Sequence, residues 1–127
     1  MFKIIINSDS VPSPIGPYSQ AVCFGNIIYT SGQIALDADS GMLVNSNIDE
    51  ETKKVMHNLE NLLREAGSGF SKVLKTSIFL KDMEDFAAVN AIYASYFEDN
   101  FPARETVQVS RLPKDANVEI SMIAYKE

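Results

Sequence analysis

A single cysteine and a single histidine limit the chemistry open to this chain before any motif is read. Cys23 has no partner for an intrachain disulfide, which suits a reducing compartment. One Cys and one His cannot supply the ligands of a common tetrahedral Zn site, and no Ca-loop spacing occurs. A carboxylate-only Mg or Ca site stays open on the residues alone. His57 has no aligned nucleophile, so it reads as a surface histidine and not as part of a catalytic triad. Cys23 lies in a strand pattern and reads as a small packing residue. Gly67-Ser68-Gly69 follows a helical stretch and does not open one after a strand, so it is not a phosphate loop. Long apolar runs are also missing. Ile4-Ile5-Ile6 is too short for a signal-peptide core, and no stretch approaches the roughly 20 residues of a membrane helix. A cytoplasmic location is expected. Positive charge is scarce as well, with 11 Lys and Arg against 17 Asp and Glu, a net charge of −6. Such a surface repels phosphate backbones and anionic bilayers, so neither nucleic acid nor membrane is the expected partner.

What is present is enough for one core. The chain has 127 residues, 46% of them apolar and 22% charged, and no linker or repeat divides it. Residues 1–127 read as a single domain. Phe2–Asn7 reads as a short strand. Pro12, Pro14, Gly16 and Pro17 mark a loop. Ser19–Phe24 and Ile27–Ser31 flank Gly25-Asn26, a hairpin connection. A loop follows through Asp37–Gly41. Thr52, Val55, Leu59, Leu62 and Leu63 recur at helical spacing, predicting a helix over Asp49–Ala66, with Asp49 as N-cap and Gly67 as its stop. Lys72–Leu80 reads as a strand. A second helix is predicted over Glu84–Asp99. Pro102 ends it, Thr106–Ser110 reads as a strand, and Asn117–Tyr125 as the last strand. The order β-β-β-α-β-α-β-β suggests an α+β fold with both helices on one sheet face.

Three polar residues stand out against this pattern. Phe86, Asn90, Tyr93 and Phe97 share one helical sector, which puts an amide inside an aromatic stripe. Asn90 is either satisfied by nearby backbone or faces a polar pocket. In the last strand Val118, Ile120, Met122 and Ala124 share one face, and Asn117, Glu119, Ser121, Ile123 and Tyr125 the other. Glu119 either sits on a solvated face or lines a site. In the preceding strand Arg104, Thr106, Gln108 and Ser110 share a face. The short connection Leu112–Asp115 predicts that these last two strands pair, so that the row with Arg104 meets the row with Glu119. Arg104 and Glu119 then either form a salt bridge or serve a ligand. In the second case Arg104 holds a ligand carboxylate by paired hydrogen bonds, with Glu119 acting as a base toward water.

Five segments resemble one known family: Ile15-Gly16-Pro17-Tyr18-Ser19-Gln20-Ala21, Ser31-Gly32-Gln33-Ile34, Phe86-Ala87-Ala88-Val89-Asn90, Phe101-Pro102-Ala103-Arg104 and Val109-Ser110-Arg111-Leu112-Pro113-Lys114. Together they are similar to the RidA family, also called YjgF or reactive intermediate deaminase A, in register over almost the whole chain. The resemblance implies a chorismate-mutase-like α+β domain, a mixed sheet with two helices on one face. Three such domains would form a trimeric barrel with ligand clefts between subunits. It implies a cofactor-independent hydrolase, a 2-iminobutanoate/2-iminopropanoate deaminase. Such an enzyme converts those imines and the enamine 2-aminoacrylate to 2-keto acids and ammonia. The family pattern puts the substrate carboxylate on Arg104 and the water-activating acid at Glu119. Tyr18, Ser31, Gly32, Asn90 and Thr106 fall at pocket positions. Many members carry Cys where this chain has Thr106, which removes any thiol role but keeps a hydroxyl. Some relatives are described as translation inhibitors or endoribonucleases. A non-enzymatic, metabolite-binding regulatory trimer is the alternative reading.

Overall fold

Six strands join into one mixed sheet in the order β1-β2-β3-β6-β4-β5. The computed structural model describes residues 1–127. The strands are β1 (Lys3–Ile6), β2 (Ala21–Phe24), β3 (Ile27–Thr30), β4 (Val73–Leu80), β5 (Ala103–Gln108) and β6 (Val118–Tyr125), and the helices are α1 (Ile48–Glu65) and α2 (Phe86–Ala94). Both helices pack on the same sheet face. Val55, Met56, Leu59, Leu62 and Leu63 of α1 are buried with Ile28, Ile78, Ile120 and Met122 of the sheet. The expected α+β class and the single sheet with its two helices hold.

Most local expectations survive with shifted ends. Gly25 has φ +65° and opens the two-residue β2–β3 turn, as a type II′ connection requires. Helix α1 begins earlier than predicted. Asn47, not Asp49, is the N-cap, and its side chain accepts from the Glu50 N–H at 2.8 Å. Asp49 instead joins Glu50 and Glu51 in the first turn, where the helix dipole favours negative charge. Gly67, at φ +85°, closes α1. Ser68 N donates to Leu63 O and Gly67 N to Arg64 O, which satisfies two end carbonyls. Helix α2 is shorter than the predicted Glu84–Asp99. Met83–Asp85 forms a 3-10 turn ahead of it, and Ser95 ends it by donating its hydroxyl to Ile92 O. Phe97 then packs against Phe70, Tyr93 and Phe101.

The pairing of the last two strands departs from expectation. β5 does not pair with β6. It lies at the sheet edge, parallel to β4, and β6 runs between β3 and β4. Helix α2 is the crossover that a parallel pair needs. The connection after β5 does not close a hairpin because it has its own apolar anchor. Leu112 and Ala116 are buried with Ile34 and Leu36. Lys114 and Asp115 both take φ near +55°, and Lys81 pins the connection from the end of β4. Its N–H donates to Asn117 O at 3.0 Å, and its ammonium meets Asp115 at 2.9 Å.

Candidate active site

The strand order separates the two residues that the sequence brought together. Arg104 is in register with Thr76 of β4, and Glu119 with Phe79. An offset of three residues reverses the face. Thr76 points to the helices, since its Oγ1 accepts from the Tyr93 hydroxyl of α2 at 2.9 Å. Arg104 therefore lies on the helix face and Glu119 on the open face. The backbones differ by two strand spacings across the sheet, about 10 Å, and three residues along it, about 10 Å. One small ligand cannot reach both residues of one chain. Arg104 takes part in none of the ion pairs of the molecule, so the predicted contact or salt bridge with Glu119 does not exist within a chain.

On the helix face, Arg104 is positioned from α2. Its Nη1 donates to Asn90 Oδ1 at 2.7 Å. Its guanidinium carbon lies 5.2 Å from the Tyr93 ring centre and 5.7 Å from that of Phe86, at cation–π distance. Asn90 is thus satisfied by an arginine and not by backbone, which explains an amide within an aromatic stripe. Burial raises the Tyr93 phenol above its usual pKa, while Thr76 and the Arg104 charge pull it down. The depression here, about 420 Å³, is lined by Asn90, Tyr93, Ala94, Phe101, Pro102 and Arg104. Thr106 follows Arg104 on the same strand face. Its Oγ1 is buried without a hydrogen-bond partner, and the residue does not line the depression. Arg104 keeps most of its fork free. It makes one hydrogen bond, and five N–H donors are available.

On the open face, a second depression of about 360 Å³ gathers Tyr18, Ser31, Gly32 and Glu119. The Ser31 hydroxyl donates to Ser19 O at 2.5 Å, and the Tyr18 hydroxyl accepts weakly from Ile15 N at 3.4 Å. Gly32 passes directly beneath Glu119: a Cβ on it would stand 2.5 Å from Glu119 Oε2. Burial raises the Glu119 carboxyl above its ordinary pKa of 4.5, with no compensating donor. No three His, Cys, Asp or Glu side chains converge on a possible metal site. His57 lines neither depression and contacts Asn61 at 3.3 Å.

Sequence reasoning missed one residue that shapes this site. Gln20 is buried, and its amide ties down the loop before it. Oε1 accepts from Ser8 N at 2.7 Å, while Nε2 donates to the carbonyls of Ser8, Val11 and Pro12. Its place directly before the apolar run Ala21-Val22-Cys23-Phe24 was the available signal, and its burial came only from the structure.

Known proteins resemble this chain over nearly its whole length. The family model described as endoribonuclease L-PSP matches residues 8–126. A RutC family protein of Pyrococcus abyssi is 47% identical over 100% of both chains. The human protein named 2-iminobutanoate/2-iminopropanoate deaminase is 44% identical over 99% of this chain and 92% of its own. The solved structure of a Yersinia pestis protein of the Rid family, itself described as of unknown function, is 47% identical. It superposes with a TM-score of 0.95 over 98% of this chain and 99% of its own. With a matching family model and relatives of this identity over full length, the chain belongs to the RidA/YjgF family.

Proposed function

We propose that this protein is a cofactor-independent enamine/imine deaminase working as a homotrimer with its sites between subunits. The observation that carries the reading is a pair of incomplete halves on opposite faces of one sheet. One half is a free arginine fork, aimed by Asn90 and backed by two aromatic rings. The other is a desolvated carboxyl beside Tyr18, Ser31 and Gly32 that accepts no hydrogen bond from its own chain. A second copy can supply to each half what its own chain cannot. The open sheet face favours such assembly. Ile5, Phe24, Tyr29 and Val107 point to it and are each 43–52% exposed, apolar surface that association would bury.

In the proposed reaction, Arg104 holds the substrate carboxylate by two parallel hydrogen bonds and fixes the plane of the imine. Glu119 of a neighbouring copy takes a proton from water as the oxygen attacks the imine carbon. That proton passes to nitrogen to give the carbinolamine; Glu119 then carries the hydroxyl proton to the amine as the C–N bond breaks, and the products are a 2-keto acid and ammonia. The elevated Glu119 pKa makes it a stronger base than an ordinary carboxylate. Tyr18, Ser31 and Gly32 complete the pocket around Glu119, and the buried, unpartnered Thr106 hydroxyl on the Arg104 strand face is the one group that must become accessible to the ligand if it takes part.

The human relative's name supports the substrate class, 2-iminobutanoate and 2-iminopropanoate, and 2-aminoacrylate, the enamine tautomer of the latter, falls in the same class. The description of the family model raises RNA cleavage instead. A net charge of −6 and a lone histidine outside both depressions argue against it. The test generates imines in situ with an amino-acid oxidase and times keto-acid release. Arg104→Ala should lower kcat/KM at least about 100-fold, since a charge-assisted bidentate contact is lost. Mixing and refolding Arg104→Ala with Glu119→Gln should restore activity that neither has alone. No acceleration by the wild type would sink the reading, and 2-keto-acid binding without turnover would favour the regulatory alternative.

A further inference from the structure

We infer that a depression at the C-terminal end of α2 docks the arginine or lysine side chains of a basic segment on a partner protein. The inference is independent of the deaminase reading. The depression holds about 320 Å³ and lies where the chain leaves α2 for β5. Three aromatic rings build it. Phe70 stands 5.5 Å from Tyr96, edge to face, and 5.6 Å from Phe97, tilted. Glu98 and Asp99 share the lining and take part in no ion pair. Phe97 faces this depression and Phe101 the one beside Arg104, so that pair of rings, 6.0 Å apart, divides the two. Neither Arg104 nor any apolar residue of the open sheet face belongs to it.

Aromatic faces attract a cation through their quadrupole, and a carboxylate beside them adds a full charge. Burial pushes the Tyr96 phenol above its ordinary pKa, and the charges of Glu60 and Glu50 on α1 push it further. Negative charge thus reaches Tyr96 from α1 as well as from the loop that carries Glu98 and Asp99. The chain's own cations answer it poorly. No lysine or arginine lines the depression, and Lys72, next to Ser71, is held by Glu127 at 3.2 Å. Arg64 and Lys53 approach Glu60 and Glu50 only at 3.9 and 3.6 Å. The spread of these acids favours a segment over a free small cation. One cationic head fills the ring site, while neighbouring basic residues meet the carboxylates around it. A net charge of −6 draws such a segment in. Arginine suits the site best, because its flat guanidinium stacks on a ring and forks to a carboxylate at once.

Fluorescence anisotropy follows labelled Gly-Ser peptides, carrying arginines or glutamines at the same positions, as full-length protein is added. The arginine peptide should bind at least about ten-fold tighter than the glutamine peptide and lose affinity as salt rises. Tyr96→Leu keeps apolar bulk but removes the ring, and should weaken the arginine peptide about five-fold. Glu98→Lys combined with Asp99→Lys should weaken it about ten-fold or more. Asp39→Lys, at an exposed acid elsewhere, should change it little. Ser71→Arg, at an exposed position in the lining, sets a cation of the chain's own against the rings and should block the peptide. It serves the same test if Tyr96→Leu does not fold. Equal binding of the glutamine peptide, or unchanged binding by the ring-site variants, would overturn the inference. Free arginine amide binding as tightly as the peptide would overturn it too, since the rings would then serve a small cation. Imine turnover, present or absent, alters none of these outcomes.

Discussion

Glu119 carries a carboxyl that burial makes reluctant to ionise and that no donor of its own chain relieves. Two consequences follow at the residue scale. Its folded pKa lies above its unfolded value, so the folded state binds the proton more tightly. Stability contributed by the protonated form is fully present below the unfolded pKa and is lost as pH rises through the folded one. At neutral pH the group costs stability, and Glu119→Gln should raise Tm in a thermal melt while imine turnover falls. For a base, the acid limb of kcat/KM should lie above pH 4.5, the ordinary glutamate value, in a pH–rate profile. Gly32 is the second residue under strict demand. An added Cβ would overlap Glu119 Oε2, so Gly32→Ala must push the carboxyl aside. We expect kcat to fall at least about ten-fold with Tm little changed, because a small displacement of a reacting group is costly. An unchanged kcat would mean that Glu119 need not stay where it is.

At the element scale, the site depends on connections more than on helices and strands. The loop before β2 is held by one side chain. Gln20→Ala would leave the Ser8 N–H and three carbonyls without their partner in a buried setting. A loss of about 2–4 kcal/mol in denaturant titration is expected, several times a surface substitution. A loss under about 0.5 kcal/mol would show that water replaces the amide freely. The α1 ends were legible because caps are local: an Asn or Asp before an acidic first turn, a glycine after the last apolar residue. The choice of Asn47 over Asp49 was not, since both can cap and the two differ by only two positions. The end of α2 was missed because Phe97 continues the helical apolar stripe. The chain leaves the helix at Ser95, yet Phe97 still reaches its aromatic neighbours.

At the scale of the whole molecule, the open sheet face is the feature a lone chain leaves unfinished. Helices cover one face, while Ile5, Phe24, Tyr29 and Val107 leave apolar surface on the other. If copies close over it, Val107→Glu on edge strand β5 should give a monomer by analytical ultracentrifugation and lose imine turnover with it. A monomeric wild type with full activity would refute the intersubunit site. A variant monomer as active as the wild type would do the same.

Periodicity, caps and turns were readable from the chain alone because neighbours in sequence decide them. Alternation in β6 put Glu119 on a face opposite to Val118 and Ile120, and it lies there. The hairpin at Gly25-Asn26, the span of α1 and the placing of both helices on one face were equally legible. The motif segments carried the family. Strand partnership belonged to the tertiary structure. A short connection between two strands favours a hairpin, but burying Leu112 and Ala116 against Ile34 and Leu36 drew that connection across β4. That long-range contact left β5 on the edge and put β6 in the centre. It also set Arg104 and Glu119 on opposite faces, a separation that no local pattern encodes.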